Sequence, residues 1–152
     1  MPSFKTVRHV PFTPREMFEV VADVERYPEF LPLCEGLTVH ERKEVETGAE
    51  LTATMTVGYK AITERFKTHV TLDPVAGTIR VSHLDGPFTH LDNAWRFVPA
   101  GTGCDVYFSI DYAFRSPMLS LIVGAAFDKA VRSYTDAFEA RARALYGSRA
   151  GA

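Results

Sequence analysis

Residues 49–59 read AELTATMTVGY. Leu51, Ala53, Met55, Val57 and Tyr59 fall on one side of a period of two, and Glu50, Thr52, Thr54 and Thr56 on the other. That alternation marks a strand with one face in a core and the other in water. The texture continues on both sides. GLTVHERKEV (36–45) leads into it through a turn near Thr47-Gly48, and AITERFKTHVTL (61–72) sets Ile62, Phe66, Val70 and Leu72 against Arg65, Lys67 and His69. Turns at Asp73-Pro74 and Gly77, at Asp85-Gly86-Pro87 and at Ala100–Gly103 separate three more strands: TIRVSHL (78–84), LDNAWRFV (91–98) and CDVYFSIDYAF (104–114). Short strands joined in series by tight turns predict an antiparallel meander.

Helices bracket this run. SFKTVRHV (3–10) predicts a first strand, and Thr13-Pro14-Arg15-Glu16 is a capping box with proline at the first helical position. Met17, Phe18, Val20, Val21 and Val24 follow at helical spacing, and the helix must end before Pro28. At the far end Ser116 caps, Pro117 suits the first turn and Gly147 suits the stop. Roughly 30 residues between them predict one helix about 45 Å long. Its stripe of Leu119, Val123, Ala126, Ala130, Tyr134, Phe138 and Leu145 should lie across the sheet. The expected fold is α+β: a curved antiparallel sheet of about six to seven strands around a long C-terminal helix, with short helices after the first strand. Residues 1–147 form one expected domain, and the tail 148–152, SRAGA, is expected to fray.

A chain of 152 residues can bury one sizeable core. The net charge of −2 exerts no general pull towards nucleic acid or anionic lipid. MPSFKTVRHVPF lacks the apolar stretch of a signal peptide, and the longest apolar run, LIVGAAF (121–127), is far short of the about 20 residues a membrane span needs. Cys34 and Cys104 form no CxxC pair and are expected to be reduced thiols.

Groups for chemistry are sparse. The five histidines, His9, His40, His69, His83 and His90, include no pair at metal-binding helical spacing, so no metal is expected. No GxSxG, GxGxxG or Walker-type loop occurs. Cys34 has no visible catalytic partner. Glu64 shares the inward alternation of Ile62, Phe66 and Val70, which leaves a place at the sheet's rim, a structural salt bridge or an acid/base role open. Asp111 fits a solvated face.

Apolar side chains dominate what is left. Phe88, Trp95, Phe97, Phe108, Tyr112 and Phe114 can fill a core, with Leu91 and Asn93 on the face of Trp95. MLSLIVGAAF (118–127) is apolar all round, although a helix on a sheet needs only one stripe. YPEFLPLC (27–34) packs apolar residues around Pro28 and Pro32 in a loop. Two such surfaces at the ends of a curved sheet would form the lips of an apolar pocket.

VADVERYPEFLPLCEG (21–36), GPFTHLDNAWRF (86–97) and AFEARARALYG (137–147) together resemble the coenzyme Q-binding protein family of the polyketide cyclase-like, START-like lipid-transfer superfamily, which has the helix-grip fold. The resemblance runs from Phe4 to Gly147. It implies a hydrophobic tunnel between sheet and terminal helix for ubiquinone or a related isoprenoid lipid, entered past Tyr27, Pro28, Phe30, Leu31 and Pro32, with Phe88 and Trp95 near it. Met55, Phe66, Phe108, Leu119, Val123 and Phe127 complete the candidate lining. Leu31, Leu33, Met118, Leu121 and Ile122 are candidates for transient membrane contact, flanked by Arg115, Lys129 and Arg132. The expectation is a non-enzymatic carrier with no cofactor beyond its lipid and no DNA partner, cytoplasmic with peripheral contact at the inner membrane. Two alternatives stand beside it. A bacterial branch of the family blocks ribosomal subunit association, and Lys129, Arg132, Arg141, Arg143 and Arg149 tilt the last helix positive. A polyketide cyclase or aromatase would need acids or bases such as Glu64, His69 or Tyr112.

Overall fold

A computed structural model describes residues 3–148 of the chain. Strand β1 (Ser3–Val10) leads into α1 (Pro14–Ala22) through the predicted capping box. The Glu16 amide donates to Thr13 Oγ1 at 3.1 Å, and the Thr13 amide donates back to the Glu16 carboxylate at 2.9 Å. Met17, Phe18, Val20 and Val21 of α1 are buried. The helix stops at Ala22, well before Pro28, because Asp23 leaves helical backbone (φ −82°, ψ 67°). A 3-10 turn, Val24–Glu29, follows and contains Pro28.

Six further strands, β2 (Cys34–Val45), β3 (Gly48–Tyr59), β4 (Ile62–Asp73), β5 (Thr78–Asp85), β6 (Phe88–Ala100) and β7 (Gly103–Phe114), join β1 in one antiparallel sheet ordered β1-β7-β6-β5-β4-β3-β2. The expected meander is therefore present, with β1 returning to its far edge. Leu37 of β2 and Ile110 of β7 line one cavity although five strand-to-strand steps separate them. In a flat sheet those steps would span about 24 Å, at about 4.8 Å each. The sheet must curl, and register shifts at Cys34/Gly36, Val39/Glu41, Lys67/Thr68 and Phe88/His90 supply local bends.

The terminal rod is two helices, α2 (Pro117–Arg132) and α3 (Tyr134–Tyr146). This corrects the single predicted helix. Ser133 Oγ donates to the Ala130 carbonyl at 2.8 Å, a back-bond that competes with helical bonding and breaks the rod. Ser116 and Gly147 act as predicted: Leu119 N donates to Ser116 Oγ, and Gly147 turns out at φ +86°. Leu145 does not join the inward stripe; it is 54% exposed. Phe138 and Ala142 are buried and Tyr146 sits against Phe12, so α3 seats only that one row. The expected fraying of 148–152 falls, Ser148 apart, outside the described residues.

Candidate ligand-binding cavity

The inward face of the sheet and the terminal helices enclose an apolar cavity. Every strand from β2 to β7 reaches it: Leu37, Met55, Phe66, Val81, Trp95 and Ile110 are wall positions. Val24, Tyr27 and Leu31 close one end, and Phe127, Tyr134 and Phe138 form the helical side. No lining residue carries a charge. The free volume is about 70 Å³. Pockets that hold drug-sized ligands measure about 300–1,000 Å³, so the walls must part before a large guest enters. The tunnel implied by the resemblance is thus nearly filled by side chains.

A second, smaller space of about 20 Å³ lies beside it, lined by residues that include Leu33, Val57, Glu64, Phe88, Phe114 and Val123. Phe66 and Phe127 line both spaces and form the partition between them. Phe127 is wedged among aromatic rings, 4.9 Å from Tyr112, 5.5 Å from Phe88 and 5.6 Å from Phe114. Phe66 meets Phe88 edge-on at 5.2 Å.

The few polar groups in the main wall are mostly occupied. Trp95 Nε1 donates to Asn93 Oδ1 at 3.1 Å, and Asn93 Nδ2 donates to the Ser109 carbonyl at 2.9 Å. Thr68 Oγ1 donates to the Ala53 carbonyl at 3.4 Å, and the Tyr27 hydroxyl donates to the Val21 carbonyl. Burial pushes the Tyr27 and Tyr134 hydroxyls well above the ordinary phenol range. Tyr112 rises to about 12, through burial first and the nearby Asp128 carboxylate second. Desolvation also raises the Cys34 thiol to about 11 and Cys104 to about 12, so both buried cysteines are held as unreactive thiols.

Of the predicted lining, the structure brings Tyr27, Leu31, Met55, Phe66, Trp95 and Phe127 to the main cavity and Phe88 and Val123 to the second space. Pro28, Phe30, Pro32, Phe108 and Leu119 line neither. Pro28 is exposed on the 3-10 turn. Phe30 packs on Phe138 at 5.3 Å beneath the Arg141 guanidinium, and Phe108 is core packing, 4.6 Å from Trp95. The loop 27–34 folds inward more than its composition suggested. Leu31, proposed for membrane contact, is only 5% exposed and belongs to the interior. Leu33 is half-buried at the second space with φ +65°. Met118, Leu121 and Ile122 are exposed by 70, 85 and 47% and form a bare apolar face on α2.

Reading the sequence missed Val24, Leu37, Ala53, Thr68, Val70, Val81, Leu91, Asn93, Ile110, Tyr134 and Phe138 as cavity wall. Their inward alternation or helical stripe was visible; that a void lay beside them was not. Glu64 sits half-buried on the second space with no hydrogen bond or ion pair among the described residues, so the structural salt bridge does not form. His69 lies on the opposite face of β4, bonded to Glu50 at 2.9 Å. Glu64 and His69 therefore cannot converge on one substrate atom. Among the described residues no cluster of three or more metal-ligating side chains occurs.

A curled antiparallel sheet gripping terminal helices over an apolar cavity defines the START-like, helix-grip class. A START superfamily protein from Mycobacterium smegmatis superposes with a TM-score of 0.77 over 94% of this chain and 98% of that one, at 19% identity. Residues 10–139 match the family model described as polyketide cyclase / dehydrase and lipid transport, and the chain belongs to that family. The chain is 36% identical over 139 residues to the ribosome association toxin RatA of Pseudomonas aeruginosa, covering 91% of this chain and 93% of that protein. It is 33% identical over 141 residues to the mitochondrial coenzyme Q-binding protein COQ10 homolog B of Xenopus laevis, covering 90% of this chain and 56% of that one. An 18 kDa protein of Caulobacter crescentus with a solution structure is 36% identical, with a TM-score of 0.78 over 97% of this chain and all of that one (100%).

Proposed function

We propose that this chain is a non-catalytic carrier that takes an isoprenoid lipid, ubiquinone foremost, from a membrane surface and delivers it. The observation that carries this reading is the uncharged, largely apolar cavity beside a bare apolar face on α2. The relative named as a coenzyme Q-binding protein supports the ligand class. Each buried methylene is worth about 0.8 kcal/mol against water, so a polyprenyl tail leaves a bilayer only for another apolar enclosure. Because the cavity is nearly closed, loading requires Phe66 and Phe127 to swing and α2 to lift. The helix is held chiefly by β7 and α3. Its outer residues Met118, Leu121 and Ile122 would enter the interface as it lifts. Arg115 is engaged with the Phe88 carbonyl and Arg132 with Asp128, which leaves Lys129 as the exposed cation of α2 without a partner among the described residues. Membrane contact is therefore driven by apolar insertion, in a cytoplasmic protein visiting the inner membrane. No helix among the described residues is long and apolar enough to span a bilayer.

The test is transfer of ubiquinone between donor and acceptor vesicles, with lipid extraction of the purified protein. The wild type should accelerate transfer, and the paired change Leu121→Asp and Ile122→Asp should abolish the acceleration while leaving stability unchanged. Absence of both extracted lipid and transfer would remove the carrier reading.

A second reading, action on ribosomal subunit association, is favoured by the relative named RatA and its near full-length match. The terminal helices offer it little free charge, since Arg141 pairs with Glu29 and Arg143 with Glu139. The outer sheet face offers somewhat more: Lys5, Arg96 and Tyr107 border a broad groove there, with Arg96 stacked 4.2 Å above the Tyr107 ring, although Arg80 on the same groove is paired with Asp92 at 2.8 Å. Unchanged subunit association in sucrose gradients with added protein would exclude it.

A further inference from the structure

Tyr134 is the first residue after the break in the terminal rod, and its ring lies in the main cavity wall against Phe108 and Phe138 at 6.3 and 6.5 Å. It retains accessible surface, and burial first, then the Cys34 thiol, holds its hydroxyl above the ordinary phenol range. Every other hydrogen-bonding side chain in the wall has a protein partner: Tyr27, Thr68, Asn93 and Trp95 are each engaged. Tyr134 alone among them has no hydrogen bond to any described residue. A donor in an apolar wall with no protein partner is free to meet an incoming oxygen atom.

From this geometry we propose that the Tyr134 hydroxyl is the head-group donor of the cavity, and that the cavity selects an uncharged guest carrying a carbonyl or ether oxygen on an apolar tail. This rests on the carrier reading and narrows its ligand class. The Glu64 carboxylate lies on the second space, across the partition of Phe66 and Phe127, and the main wall offers no cation to an ionised carboxylate or phosphate and no anion to an ammonium. An ion entering it would lose its hydration with nothing in return. A quinone-like carbonyl needs only one donor and finds one. A plain hydrocarbon can fill the same space but leaves Tyr134 unbonded.

The experiment uses the full chain and three probes with one tail: 2-decyl-1,4-benzoquinone, decylbenzene and decanoate at pH 8. Each is presented in phosphatidylcholine vesicles, and the protein is separated and extracted. The quinone should load roughly tenfold better than decylbenzene, the scale of one buried hydrogen bond, and decanoate should not load above background. Tyr134→Phe, which keeps the ring and its packing, should bring the quinone down to the hydrocarbon level while decylbenzene loads as before. Normal decylbenzene loading also certifies that the variant is folded. Quinone loading unchanged in Tyr134→Phe would overturn the assignment of Tyr134 and leave the carrier reading standing. Equal loading of decanoate would overturn the selection for uncharged guests. Failure of the wild type to load either neutral probe would overturn both this proposal and the carrier reading beneath it.

Discussion

Truncating Phe127 tests whether α2 is seated on the sheet by an aromatic wedge at the partition. Phe127 is 6% exposed and meets three rings, those of Tyr112, Phe88 and Phe114. Phe→Ala changes in cores cost about 3–5 kcal/mol. Two features place Phe127→Ala in the upper part of that range. Each aromatic pair adds about 0.5–1.5 kcal/mol beyond its area, and the ring borders spaces of about 70 and 20 Å³ that are already empty. The hole left by the ring joins those two and cannot be closed by a small inward shift. A loss of about 4–5 kcal/mol corresponds to a Tm lower by about 8–20 °C, at about 2–4 °C per kcal/mol for a chain of this size. Calorimetry of the free protein measures it. The variant should also gain something. A merged apolar hole of this kind admits a ring-sized guest, as engineered cavities of about 150 Å³ admit benzene, so saturating benzene should raise its Tm by more than it raises that of the wild type. A fall below about 3 °C with native circular dichroism, and no response to benzene, would show that Phe127 neither wedges α2 nor divides the two spaces.

Gly86 holds the approach to the same partition. At φ +137° an alanine Cβ there would meet the Phe66 Cβ at 2.7 Å and the Arg65 carbonyl oxygen at 2.9 Å. Gly86→Ala should therefore lower the stability measured by urea unfolding by at least the about 1–3 kcal/mol of a strained backbone site; wild-type stability would contradict the close approach of this turn to Phe66. His83 gives a pH dependence. Its Nε2 is buried without a hydrogen bond beside Phe88, and burial, then the Arg115 charge, holds its pKa below the ordinary histidine value, with Asp85 opposing. As pH falls below about 6.5 the unfolded chain takes up this proton first, so the stabilisation is full above that pH and is lost down to the folded-state pKa. His83→Leu should flatten the urea-midpoint profile just below about pH 6.5, and an unchanged slope would assign that dependence to other groups.

Much of the architecture is legible in local chemistry. The period of two in 49–59 and its neighbours, the Thr13 capping box, the Ser116 cap and the Gly147 stop each act through atoms a few residues apart, so the sequence alone determined the strands, their turns and both helical ends. The break at Ser133 was not legible, because a serine in a helix declares its back-bond to Ala130 only once the rod is bent over the sheet. The inward turn of Leu31 escaped for a related reason: composition marks a side chain as apolar but not whether it meets protein or solvent. Nor could alternation tell packed core from cavity wall. Asn93 and Trp95 share a face in the sequence, yet only the curl of the sheet brings them opposite Tyr134 and Phe138. The void, its uncharged wall and the unbonded hydroxyl belong to tertiary structure, since empty space is set by how far whole elements stand apart and leaves no mark on neighbouring residues of the chain.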